Sequence, residues 1–324
     1  MPEPFSSAMK KKFVFISGAL FLLAVVFLFL LPAPFSRTEQ FRVALPIDEL
    51  SPQLTQFRNW QKWYQPLKHL DSTQIHFSMN DSLVQWDDCT LKKMEQSPVF
   101  ISVHAHENSI ETIHSISLFA DSFGFATRIN WNEKMNAWNW LKSTFSKTRN
   151  EFWQPGALRD FSNSTEGFYG FKIEVTGVPD TLVLTKKMIT TKQNELMVLS
   201  ELYRELESLA VSYHLNPDSS ARHMGAFNQV ARDSVEVMAG ISVHEKIPVS
   251  GGISWLEMPP KGKMLLGYFE GPHREVKNLY SAMLKYIRLH NLSTIATPYE
   301  KYMNSNHPAA DSNHLVIQLY YPIL

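Results

Sequence analysis

The feature that most constrains this chain is an order of elements that occurs twice in its C-terminal half. The first copy reads as a strand over 180–186 and a helix carrying Leu196, Leu199, Tyr203, Leu206, Ala210 and Tyr213. Strands near 224–228 and over 235–243 follow it. The second copy reads as a strand over 264–270, a Gly271-Pro272-His273 turn and a helix over 274–290. It closes with a strand near 299–303 and another over 314–321. Its helix sets Val276, Leu279, Tyr280, Met283, Leu284 and Ile287 on one face at helical spacing. Leu182 to Met238 spans 56 positions and Leu265 to Ile317 spans 52, so the copies are nearly equal. A single βαββ unit leaves one sheet face uncovered. Two of them pair their sheets about a pseudo-twofold, and the groove between the halves is a natural ligand site. The halves run over about 178–246 and 263–324, joined by the Gly-, Pro- and Ser-containing stretch 247–263.

Charge narrows the class of partner. Lys plus Arg and Asp plus Glu number 31 each, so there is no basic excess of the kind nucleic-acid binders show, and no nucleic-acid partner is expected. The one cysteine, Cys89, excludes an intrachain disulfide and a thiolate zinc cluster. At the N-terminus, Lys10-Lys11-Lys12 precede residues 13–31, in which only Ser17 and Gly18 are not clearly apolar. A helix over that stretch rises about 28 Å, close to the hydrocarbon thickness of a bilayer. It is longer than the ~7–15 residues of a cleavable signal's apolar core. The sequence therefore predicts a retained single-pass transmembrane helix. The lysines keep residues 1–12 in the cytoplasm and place everything after residue 36 outside, which in a bacterial inner membrane is the periplasm.

Between the anchor and the repeats, residues 37–160 read as an α+β domain. Residues 123–131 alternate large apolar with small or polar side chains, as a half-buried strand does. Val99, Ile101, Val103 and Ala105 share one face of another strand, opposite His104 and His106, and 110–119 is a third. Residues 47–62 read as helical, with Ser51-Pro52 starting a second short helix. A helix over 137–149 closes the domain. Zinc would need three or four convergent ligands, and the His104-x-His106 spacing supplies two, so no metal or other cofactor is assigned.

Two family resemblances follow from these segments. Asn59-Trp60-Gln61-Lys62-Trp63-Tyr64-Gln65-Pro66 resembles the W-x-x-W segment of SRPBCC (START-like, polyketide-cyclase-like) domains in membrane-anchored bacterial proteins. That resemblance implies a helix-grip fold, a curved antiparallel sheet around a long helix, often with an apolar cavity. Residues 169–324, with the Gly-Pro turn and the Leu319-Tyr320-Tyr321-Pro322-Ile323 ending, resemble the GyrI-like effector-binding domain that completes many multidrug-sensing regulators. That resemblance implies small-molecule binding. The family ending, Glu-x-Tyr-x-Pro-x, supplies a carboxylate in an aromatic pocket suited to lipophilic cations. Here Gln318 holds that position with a neutral amide, and His273 stands where an aromatic usually follows Gly-Pro.

The expected architecture is α+β: a transmembrane helix, a helix-grip domain and a duplicated βαββ domain. The expected function is binding of a small lipophilic or aromatic molecule by a membrane-anchored sensor or carrier. Trp255, Tyr268, Tyr302, Gln318 and Tyr320 would line the groove, and Glu236, the repeat counterpart of Gln318 if Gly240 matches Pro322, would supply a carboxylate. A solvated strand carboxylate is the alternative for Glu236, and core packing is the alternative for the aromatics. The other functional classes are a hydrolase acting in the groove, which the loss of the carboxylate argues against, and a non-catalytic scaffold with filled cavities.

Overall fold

A computed structural model describes residues 15–23, 26, 35–107, 110–121, 124–145, 154–215, 223–304, 308–310 and 312–324. The fold is α+β, with two antiparallel sheets in two compact units that divide between Asn163 and Ser164. Of the expected transmembrane stretch, residues 15–23 are helical, and Phe15, Leu20 and Phe21 are exposed. The rest of 13–31, Val26 excepted, lies outside the described residues. Among the described residues no helix is long and apolar enough to cross a membrane.

In the first unit, β1 (Phe35–Val43) is followed by α1 (Ile47–Thr55), α2 (Phe57–Trp60) and α3 (Gln65–Lys68). Then come β2 (His76–Phe77), β3 (Leu83–Trp86), β4 (Cys89–Ser97), β5 (Phe100–Glu107), β6 (Ile110–Ala120) and β7 (Thr127–Met135). The sheet order is β1-β7-β6-β5-β4-β3-β2, so the first strand returns to pair with the last. α4 (Ala137–Phe145) and α5 (Pro155–Asn163) close the unit.

The tryptophan pair explains how the short helices hold. The last carbonyls of any helix lack partners within it. Two such carbonyls of α1, on Leu54 and Gln53, accept from the indole N–H groups of Trp60 (2.8 Å) and Trp63 (3.1 Å). Both rings are buried 4.9 Å apart, and Trp63 meets Trp131 of β7 edge-on at 6.1 Å. Trp60→Ala and Trp63→Ala should each cost about 3–5 kcal/mol, by lost burial and an orphaned carbonyl. Seven of the eight tryptophans precede residue 154, so intrinsic fluorescence in a urea titration reads this unit.

Three expectations here need correction. Pro52 does not start a helix; it lies inside α1, where it leaves one intrahelical N–H missing and the helix ends three residues later. The strand predicted over 123–131 starts at Thr127, because Gly124 adopts φ 74° in the turn where Asp121 N–H donates to the Ala126 carbonyl. Val99 lies ahead of β5 and is exposed, whereas Ile101, Val103 and Ala105 are buried. Of the helix expected over 137–149, residues 146–149 lie outside the described residues.

One histidine in this sheet is fully internal. His114 accepts from Trp131 Nε1–H at Nδ1 (3.3 Å) and meets Thr112 Oγ1 at Nε2 (3.0 Å), and burial lowers its pKa from 6.5 to about 4. The unfolded chain would take up this proton near pH 6.5 and the folded one only near 4. The stability that His114 contributes is therefore complete above pH 6.5 and lost as pH falls towards 4, by about 3 kcal/mol in total. Urea midpoints compared between pH 7 and 4.5 should fall more for the wild type than for His114→Gln.

The second unit opens with α6 (Thr165–Tyr169) and β8 (Ile173–Gly177). The first repeat is β9 (Leu182–Thr191), α7 (Glu195–Ser212), β10 (Met224–Ala231) and β11 (Ser234–Ser242). After the edge strand β12 (Ile253–Glu257), the second is β13 (Lys263–Gly271), α8 (Val276–Leu289), β14 (Tyr299–Tyr302) and β15 (Leu315–Ile323). The sheet runs β12-β9-β11-β10-β14-β15-β13-β8, and the repeats join where Met224 pairs with Lys301 and Gly225 with Glu300. Both helices pack on one face: Leu199, Leu202 and Leu206 of α7, and Leu279, Met283 and Ile287 of α8, share a core with Leu184, Val237, Leu265 and Ile317. Leu284, expected on the buried stripe, is exposed. The other face carries a smaller cluster of Val183, Met224, Ala226, Met264, Leu266, Tyr299 and Tyr320.

Candidate functional site

β14 is four residues long, Tyr299-Glu300-Lys301-Tyr302, and all four are buried. Side chains alternate across a strand, so Glu300 and Tyr302 face the helices while Tyr299 and Lys301 face away. Glu300 is only 1% exposed. A carboxylate so placed must be hydrogen-bonded. Oε2 accepts from Tyr302 O–H (2.6 Å) and lies 3.1 Å from His273 Nε2; Oε1 accepts from Tyr280 O–H (2.8 Å).

Glu300's partners all come from the second repeat, and the first repeat adds Glu195 and Tyr203 around them. His273 follows the Gly271-Pro272 turn, where its backbone N–H donates to the Ser312 carbonyl, and Tyr280 lies on α8. Glu195, the first residue of α7, brings Oε1 to 4.0 Å from His273 Nδ1, so the imidazole lies between two carboxylates. Tyr203, also on α7, carries a fully buried hydroxyl with no hydrogen-bond partner among the described residues. Gly225, paired with Glu300 across the repeat junction, makes room for it: a Cβ there would lie 3.3 Å from that hydroxyl and 2.7 Å from Leu199 Cδ2.

The electrostatics follow from burial and the Glu300 charge. Burial alone would lower the His273 pKa; the hydrogen bond and charge of Glu300, then the charge of Glu195, overcome it and leave it raised. Burial raises Glu195, with Glu300 adding to the shift and His273 and Lys192 opposing it. Tyr203, Tyr280 and Tyr302 are pushed up by burial first and Glu300 second, so they stay protonated donors at neutral pH. Beside the cluster is an open depression of about 170 Å³ lined by Lys192, Glu195, Phe227, Gln229, Arg232, Ser234 and Val235. Two of its walls touch the cluster: Glu195, and Phe227, whose ring is 5.9 Å from that of His273.

The residues singled out from the sequence fall on two faces of the sheet. Tyr302 belongs to the Glu300 cluster. Trp255 packs against the same helix-side core and donates its indole N–H to the Ile247 carbonyl (3.2 Å). Tyr268, Gln318 and Tyr320 gather on the opposite face. Tyr268 pairs in register with Gln318, whose Oε1 accepts from Tyr320 O–H (2.8 Å), and Tyr320 stacks on Tyr299 at 5.0 Å. The Tyr268 hydroxyl donates to Glu174 (2.5 Å), a bond that, with burial, pushes its pKa up to about 12. Glu236 lies on β11 facing away from the helices, 3.2 Å from Lys187 Nζ. The buried carboxylate is Glu300, on the strand that pairs with that of Gln318. An acidic residue between two tyrosines in an otherwise buried strand was the available signal. His104 and His106 lie 3.8 and 3.7 Å from Glu111, and among the described residues no three His, Cys, Asp or Glu side chains are grouped to hold a metal.

No family model and no curated protein matches the chain. Among solved structures it is similar to EcmrR in an EcmrR–DNA complex, at 14% identity and a TM-score of 0.41, over 47% of this chain and 57% of that one. It is also similar to a hydrolase from Listeria innocua, at 14% identity and 0.36, over 47% and 92%. A third is SAV2435 bound to tetraphenylphosphonium, at 11% identity and 0.31, over 47% and 94%. Likenesses this low carry no function to this chain.

Proposed function

We propose that the second unit, a GyrI-like domain, binds a small, partly apolar molecule that enters the depression beside Glu195 and is read by the Glu300 cluster. The observation that carries this reading is a buried carboxylate ringed by tyrosines and an imidazole, beside an open depression. Such a site favours a ligand with a cationic or hydrogen-bond-donating end and an aromatic or apolar body. Tetraphenylphosphonium, which SAV2435 binds, is a suitable first probe. A ligand that binds only the folded state raises the melting temperature by mass action. Adding it in excess to the full chain should raise the transition of the second unit, and Glu195→Gln should reduce the rise. No shift with tetraphenylphosphonium or with a neutral aromatic at millimolar concentration would overturn the reading.

The line of Glu195, His273 and Glu300 also supports a second reading, a hydrolase in which His273 moves a proton between the carboxylates. Turnover of ester substrates that is lost in His273→Gln would favour it over simple binding. A scaffold with filled cavities fits less well, because the depression is open.

The same proposal places the protein at a bacterial inner membrane, anchored through residues 13–31, with the folded units in the periplasm. The exposed apolar side chains of residues 15–23 support it. An SRPBCC-like first unit is supported by the seven-stranded antiparallel sheet whose first and last strands pair. Release of the full chain from membranes by alkaline carbonate would overturn the anchor, and a C-terminal reporter active only in the cytoplasm would overturn the orientation.

A further inference from the structure

The depression beside Glu195 is lined by charges of both signs. Its inner wall holds Glu195, whose side chain is 20% exposed, next to Phe227 and Val235. Its rim carries Lys192 and Arg232. These cations lie on different turns, one leading from β9 into α7 and the other joining β10 to β11. A hydrogen bond from Lys192 N–H to the Asp233 carbonyl (3.2 Å) ties the turns together. The Gln229 amide fastens the second turn from inside, donating to the carbonyls of Ala231 (3.3 Å) and Arg232 (3.2 Å). Two exposed cations thus border a depression that also holds a carboxylate and an aromatic ring, and the Lys192 charge reaches Glu195.

Resting on the ligand-binding reading above, we propose that the ligand is zwitterionic. Its cationic or donor end meets Glu195, its apolar body lies against Phe227 and Val235, and a carboxylate or phosphate group at its far end meets Lys192 and Arg232. A plain cation would leave the two rim charges unmatched and feel their repulsion. A plain anion would face Glu195. A molecule carrying both charges matches both signs of the lining.

Three probes of similar size test this: 4-(aminomethyl)benzoate with opposite charges at its two ends, benzylamine with the cation alone, and benzoate with the anion alone. Isothermal titration of the full chain in detergent at low salt should rank 4-(aminomethyl)benzoate about tenfold tighter than benzylamine, with benzoate weakest. Lys192→Met/Arg232→Met should erase that advantage and leave benzylamine binding as tight or tighter. Glu195→Gln should weaken both amines. If benzylamine matches 4-(aminomethyl)benzoate in the wild type, or the rim substitutions leave their ratio unchanged, the anionic subsite falls and the small-molecule reading stands. If tetraphenylphosphonium binds and none of the three probes does, the zwitterionic class falls alone. If nothing binds, both readings fall.

Discussion

Glu300→Ala is expected to destabilise the second unit by about 3–5 kcal/mol, the cost of breaking a buried charged network by removing one member. The substitution leaves two tyrosine hydroxyls and His273 Nε2 around a site that was 1% exposed, with nothing to accept from them. Each stranded donor carries its own desolvation cost, about 1–3 kcal/mol. Glu300→Gln should cost less, because the amide oxygen still accepts, although its NH2 then opposes a donor. Seven tryptophans report on the first unit, so fluorescence is the wrong measurement here. Hydrogen exchange of the β14 and β15 amides, read by mass spectrometry, gives the opening free energy locally. A Glu300→Ala value within about 1 kcal/mol of wild type would mean that the network contributes little to stability.

Asp180→Ala should have an effect of similar size on the opposite face of the same sheet, and a second substitution should largely reverse it. Lys301 Nζ lies 2.6 Å from Asp180 Oδ2, and both side chains are less than a tenth exposed. Removing the aspartate strands a buried ammonium, at about 3–5 kcal/mol. Replacing both residues, as Asp180→Leu/Lys301→Met, removes the stranded charge and should recover most of the loss. A double variant as unstable as Asp180→Ala would sink the ion-pair account and point to packing in the 178–181 loop instead. The two experiments probe adjacent residues of one strand, Glu300 and Lys301, whose side chains leave in opposite directions.

That alternation shows why the site was only partly legible. The two copies of strand, helix, strand and strand were readable from spacing alone, because a sheet-covering helix needs an apolar stripe and each strand a period of two. Aromatic character picks out Tyr302 in the second repeat, but it gives no sign of its neighbour Glu300. Parity along one strand is local information. Which face of β14 meets the helices depends on how it pairs with β10 and β15, and no short-range pattern carries that. His273 was read as the loss of an aromatic; in the structure the same imidazole joins Glu195 to Glu300. Tyr268, Gln318 and Tyr320 come together on the face away from both helices, through the pairing of β13 with β15.

The sequence by itself determined the element order, the duplication, the balance of charge and the apolar stretch at residues 13–31. These follow from hydrophobic period and composition, which act over a few residues at a time. Tertiary structure alone decided which carboxylate is buried, that residues from both repeats converge on it, and that two cations border the depression beside it. Those facts depend on residues some twenty to a hundred positions apart, from Glu195 and Arg232 to His273 and Glu300. Only the pairing of β10 with β14 and the packing of two helices on one face bring them together.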